Sequence, residues 1–91
     1  MYQITDYTKK QAKLLGVDVQ PSKNKTKKID VIKDGQIICS IGSINYLDYP
    51  TYLQTKGKQY AEERRRLYRI RHKKDIEKIN SNGYYAGKLL W

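Results

Sequence analysis

Two β-rich runs, Ile29-Asp30-Val31-Ile32 and Gln36-Ile37-Ile38-Cys39-Ser40-Ile41, flank the tripeptide Lys33-Asp34-Gly35. No other feature restricts the possible folds as strongly. A type I′ turn needs positive φ at both central residues, which Asp-Gly tolerates, and β-branched flanks favour extended backbone. The spacing therefore predicts a β-hairpin. Val17-Asp18-Val19 alternates as a short strand that Pro21 ends. Added to the hairpin, it makes a three-stranded antiparallel sheet. Residues 22–28 (SKNKTKK) are polar and basic without periodicity, the pattern of an exposed loop.

Helical patterns lie on both sides of this sheet. Thr5 or Asp6 caps a first helix running to about Leu15, with Gly16 as its stop. Tyr7, Gln11, Leu14 and Leu15 give that helix one apolar stripe. Pro50 fits the first turn of a short helix reaching about Lys56, Asp48 lies just ahead as its cap, and Gly57 punctuates. Residues 58–79 hold no Gly or Pro and many good helix formers, which predicts one long helix. Asn80-Ser81-Asn82-Gly83 closes it, and residues 84–91 form a last short helix or an extended tail. The expected fold class is α+β, with residues 1–91 as one small domain. With 38% hydrophobic residues and no Phe, the core rests on Ile, Leu and Val plus nine Tyr, whose rings pack while their hydroxyls reach a partner at the edge.

The long helix carries the functional signal. Arg64, Arg65, Arg66, Arg69, Arg71, Lys73 and Lys74 crowd into it, with Tyr68 and His72 interleaved. At 100° per residue, Ala61, Tyr68, Asp75 and Ile79 fall near one line, flanked by His72, Arg65, Arg64 and Arg71, while Leu67 and Ile70 make a separate aliphatic contact. Arg, His and Asp beside Tyr suggest a partly buried polar network in which Asp75 accepts from Arg71. Arg66, Arg69, Lys73 and Lys74 form the wet side. The formal charge of +10, from 19 basic and 9 acidic residues, repels itself in a chain this short, and a polyanion relieves that repulsion.

Arg64-Arg65-x-x-Tyr68-x-x-Arg71-His72-x-x-Asp75, followed by Ser81-Asn82-Gly83-Tyr84-Tyr85 and a closing Leu89-Leu90-Trp91, resembles a small basic module that recurs in large double-stranded DNA viruses and tailed phages. Ile41-Gly42 and Asp48-Tyr49 match its outline too, so the resemblance covers most of the chain from about Gly16 onward. It implies a viral source and a virion- or genome-associated role, and it implies no chemistry. The basic loop at residues 23–28 lies outside it. Within the pattern, Arg64, Tyr68, Arg71, His72, Asp75 and Trp91 read as a structural network that orients the terminal aromatic residues against the helix.

Catalytic patterns are missing from the sequence. His72 is the only histidine and Cys39 the only cysteine, so neither an internal disulfide nor a His/Cys metal cluster can form, and no cofactor-binding motif is present. Cys39, in the run Ile37-Ile38-Cys39, reads as a buried inert thiol. The expectation is a non-enzymatic protein without metal or cofactor. Nothing resembles a signal peptide or a membrane span, so the expected setting is a virion or the reducing interior of a host cell, neither secreted nor transmembrane.

Two functions fit these features. In the first, the protein associates with nucleic acid, DNA rather than RNA, by binding backbone phosphates without reading sequence. Arg65, Arg66, Arg69, Lys73 and Lys74 would carry that role with the loop lysines Lys23, Lys25, Lys27 and Lys28. In the second, it is a minor capsid or capsid-lining protein whose Tyr, Trp and Arg side chains anchor it to viral coat proteins.

Overall fold

The computed structural model describes residues 2–91. Helix α1 (Asp6–Leu15) leads into strands β1 (Asp18–Pro21), β2 (Lys27–Lys33) and β3 (Gln36–Ser43). Helices α2 (Tyr49–Lys56), α3 (Lys58–Arg71), α4 (Lys73–Glu77) and α5 (Asn82–Leu89) follow. The class is α+β, as the sequence pattern requires.

The three strands lie in the order β1-β2-β3, all antiparallel. At the hairpin, Asp34 has φ 53° and Gly35 φ 78°, the two left-handed residues that a type I′ turn demands, and Lys33 pairs with Gln36 across it. The register then shifts between Val31 and Ile32: Val31 faces Cys39 while Ile32 faces Ile37, so Ile38 is the extra residue of a bulge. The bulge lies in the half of β3 that does not reach the core. Ile37 and Ile38 are consequently exposed and Cys39 is half-buried, where the sequence suggested a buried thiol. Burial, and then the charge of Asp30, push the Cys39 thiol up, which keeps it a protonated, poor nucleophile.

Loop 22–26 is tied down from beneath by a buried anion. Asp30, 2% exposed, accepts hydrogen bonds from Ser22 Oγ (2.6 Å), Ser40 Oγ (2.6 Å), the Lys23 amide (3.2 Å) and Gln20 Nε2 (3.3 Å). Burial pushes this carboxyl up, but the four donors outweigh it and hold it at about 2. Lys27 and Lys28, expected in the loop, belong to β2 instead.

Thr5 caps α1 by accepting from the Thr8 amide, and Gly16 ends it in the left-handed region at φ 74°. The buried side of α1 is Thr8 and Ala12, with Leu15 partly covered; Leu14, expected in the apolar stripe, is 74% exposed. Small residues are needed there because α5 lies close: Thr8 Oγ1 donates to the carbonyl of Leu89 at 2.8 Å inside the core. The core itself gathers Ala12, Val17, Ile29, Val31 and Ile41 with Tyr85, Leu89 and Leu90 of the C-terminal segment. Gly42, at φ 79°, sits beneath Leu90 so closely that a Cβ there would lie 2.6 Å from Leu90 Cδ1. The Ile-Gly step is thus a packing requirement of the sheet–α5 contact.

The long basic helix is the main correction. It ends at Arg71, and His72 (φ −107°, ψ 20°) separates it from α4. Local propensity favours continuation, but tertiary packing overrides it. α4 folds back against α5, where a Cβ on Gly87 would stand 2.5 Å from Ile76 Cγ1. The turn leaves Ile70 and Ile79 largely exposed, so the expected aliphatic contact is made only in part, by Leu67. Among the described residues, no helix is long and apolar enough to cross a membrane.

Candidate nucleic-acid interface

α2 begins at a buried charge. Asp48, capping α2 through the Thr51 amide (3.0 Å), also accepts from Lys28 Nζ (2.9 Å) and from the Tyr2 hydroxyl (2.7 Å). The Lys28 and Asp48 side chains are 6% and 1% exposed. Burial pushes the Asp48 carboxyl up, yet the Thr51 amide and Lys28 outweigh it and hold it below the usual carboxylate range. Lys28 is therefore not one of the surface lysines expected from the sequence. It is committed to the fold, and Lys23 and Lys25 are the exposed cations of that region, with Lys27 half-buried at the start of β2.

The five basic residues proposed for α3 and beyond separate by environment. Arg65 forms an ion pair with Glu62 and lies over the ring of Tyr49 (4.0 Å), whose hydroxyl donates to the same carboxylate at 3.1 Å. Burial pushes the Tyr49 hydroxyl up, and its bond to Glu62 pushes the same way. Arg65 thus holds α3 against α2 and is removed from the candidate surface. Arg66 pairs with Glu63 in the open, an i,i+3 contact that solvent makes weak. Arg69 donates to the carbonyl of Trp91 at 3.2 Å and remains exposed. Lys73 and Lys74 project from the short α4 and are in no ion pair among the described residues.

The expected structural network exists in altered form. Tyr68 is sandwiched between Trp91 (4.3 Å, interplanar 6°) and His72 (4.3 Å, 30°), so the terminal Trp is oriented against α3 by stacking. Burial, and then the charge of Asp75, push the Tyr68 hydroxyl up. Asp75 does not accept from Arg71. The break at His72 moves it onto α4, where its carboxylate lies 3.6 Å from His72 Nδ1 and its backbone carbonyl accepts from Ser81 Oγ. Arg64 lies over the ring of Tyr52 at 5.8 Å, and its buried Nε has no hydrogen-bond partner among the described residues.

These pieces enclose a groove of about 380 Å³ between α3, the connector after β3 and the C-terminal residues. Its aromatic residues are Tyr46, Tyr52, Tyr68 and Trp91, and Arg64, Arg71 and His72 line it too. Lys28 reaches it from β2, with its ammonium held on Asp48. No acidic side chain is among its lining residues. The sequence pattern pointed to the α3 residues, but not to Tyr46 and Tyr52. Their contribution depends on how the connector and α2 fold back along α3, and no local periodicity encodes that. Among the described residues, no cluster of three His, Cys, Asp or Glu side chains is placed to hold a metal ion. Comparison with protein-family models, curated proteins and solved structures finds no match for this chain.

Proposed function

We propose that this protein associates with nucleic acid, DNA rather than RNA, by neutralising backbone phosphates without reading sequence, in a viral setting. The observation that supports this most directly is the fate of the charge. Of the 19 basic residues, only Lys28, Arg65 and Arg66 are in ion pairs with carboxylates among the described residues, which leaves sixteen. Arg69 and Lys73 line one cleft across the α3–α4 turn with Lys74 next in the chain, a place for a phosphate backbone, while Arg71 lines the groove instead. Lys23 and Lys25 add a second basic point on the loop braced by Asp30.

Fluorescence anisotropy of labelled duplex DNA from about 50 to 300 mM salt tests this reading, because each neutralised phosphate adds close to one unit to the logarithmic salt slope. A steep slope is the expected outcome. Arg69→Gln/Lys73→Gln/Lys74→Gln should weaken binding and flatten the slope by about two to three units at an unchanged thermal midpoint. Wild-type affinity in that variant would refute the surface.

The second reading, a capsid-lining protein held on coat proteins, draws on one observation. Ile44, Tyr46 and Leu47 of the connector are exposed at 51%, 73% and 47%, the last two at the groove. Such a contact would survive the salt that removes phosphate binding.

A further inference from the structure

The groove has features that backbone binding does not use. Duplex phosphates need exposed cations, whereas here the cations sit among aromatic rings in a concavity of about 380 Å³, within the roughly 300–1,000 Å³ of small-molecule sites. The lining favours an anionic ligand, since Arg64 and Arg71 meet no acidic side chain there, whereas Lys28 is already paired with Asp48 and His72 lies beside Asp75. The ligand must also present a flat face. Tyr68 cannot receive it, because His72 and Trp91 already occupy its neighbourhood at 4.3 Å on stacked geometry. Besides Tyr68, Trp91 has Tyr52 as a ring neighbour, 6.2 Å away and tilted by 48°, which does not complete a parallel stack. Tyr46, 73% exposed, stands at the rim with no ring partner among the described residues.

Arg64 supplies the polar half of the case. Its buried Nε is the only buried side-chain nitrogen or oxygen left without a partner among the described residues. A buried donor in that state calls for an acceptor. Arg71 lies seven residues on, two turns along the same face of α3 and about 10 Å from it along the axis. Arg64 and Arg71 both line the groove, so an anion at Arg71 and an acceptor edge at the Arg64 guanidinium fall within the span of one ligand. Nε itself is closed off until that side chain shifts.

We propose that this groove binds a nucleotide, either free or as the unpaired or terminal residue of a strand, with its base among Tyr46, Tyr52 and Trp91 and its phosphate toward Arg71. The strand form rests on the nucleic-acid reading above and deepens it: phosphate contacts on the α3–α4 turn would hold the chain, and the groove would select an unstacked base. Aromatic residues beside Arg are suited to this, since every base offers a π-face and single strands pay little to present one.

Trp91 is the only tryptophan and lines the groove, so its emission reports occupancy directly. The probes are adenosine 5′-monophosphate, a ten-residue oligothymidylate, a covalently closed duplex circle and inorganic phosphate. The expected result is quenching by the oligothymidylate that inorganic phosphate does not reproduce. Tyr46→Ala/Arg71→Gln should lower oligothymidylate affinity about tenfold or more and closed-circle affinity less than about twofold to threefold, as the loss of one phosphate contact would. Quenching by the mononucleotide as well would identify a free-nucleotide site. Quenching by the mononucleotide without binding of either polymer would retain the groove and remove the nucleic-acid reading. Polymer binding with unquenched Trp91, or unchanged oligothymidylate affinity in the double variant, would overturn the groove while leaving the backbone reading in place.

Discussion

Lys28→Met is the sharpest test of how this chain uses its charge. The substitution keeps most of the aliphatic stem and removes only the ammonium. What remains is Asp48, 1% exposed at its side chain, with Tyr2 and the Thr51 amide as its other donors. An uncompensated buried carboxylate costs about 3–5 kcal/mol, far more than the pair itself contributes relative to an apolar replacement. For a domain of this size that corresponds to a fall of about 12–40 °C in thermal midpoint. Urea unfolding followed by Trp91 fluorescence measures it. Lys25→Met, at an exposed loop position, is the control and should change stability by less than about 0.5 kcal/mol. Adding Asp48→Asn to Lys28→Met keeps a good helix cap and removes the stranded charge, so the double variant should recover part of the loss. A Lys28→Met loss below about 1 kcal/mol, the scale of an exposed pair, would refute the burial argument and return Lys28 to the surface set.

Three further outcomes are expected. Asp30 titrates at about 2 when folded, below its unfolded value of about 3.9, so its stabilisation is present above pH 4 and is lost as pH falls toward 2. The urea midpoint should drop across that window, and Asp30→Asn should reduce the drop by about 2 kcal/mol; an acid profile unchanged by that substitution would be inconsistent with the four-donor site. Gly42→Ala combines left-handed backbone with a 2.6 Å approach to Leu90 and should destabilise by about 2–4 kcal/mol in the same assay, whereas a neutral result would mean that the sheet–α5 contact is looser than described. Tyr68→Ala should cost about 2–3 kcal/mol, below the range for a fully buried aromatic because the ring is half-buried, and it should alter Trp91 emission through loss of the 4.3 Å stack; unchanged emission would contradict that stack.

What the sequence could encode alone was whatever neighbours along the chain decide. Asp34-Gly35 specified its turn because positive φ at two successive residues is a local steric matter. Thr5, Gly16, Asp48 with Pro50, and Gly57 marked helix ends through backbone groups only a few residues away. The excess of positive charge was likewise a matter of counting. Tertiary structure decided the rest. It broke the basic helix at His72 so that Ile76 could meet Gly87, and it withdrew Lys28 to pair with Asp48 twenty residues on. It spent Arg65 on Glu62 and Tyr49, and left Arg64 with a buried, unpartnered nitrogen. It also assembled the groove, bringing Tyr46, Tyr52 and Trp91 to one place from a connector, a short helix and the last residue. Side chains so far apart in sequence share no periodicity, and only the closing of the core brings them within reach of one another.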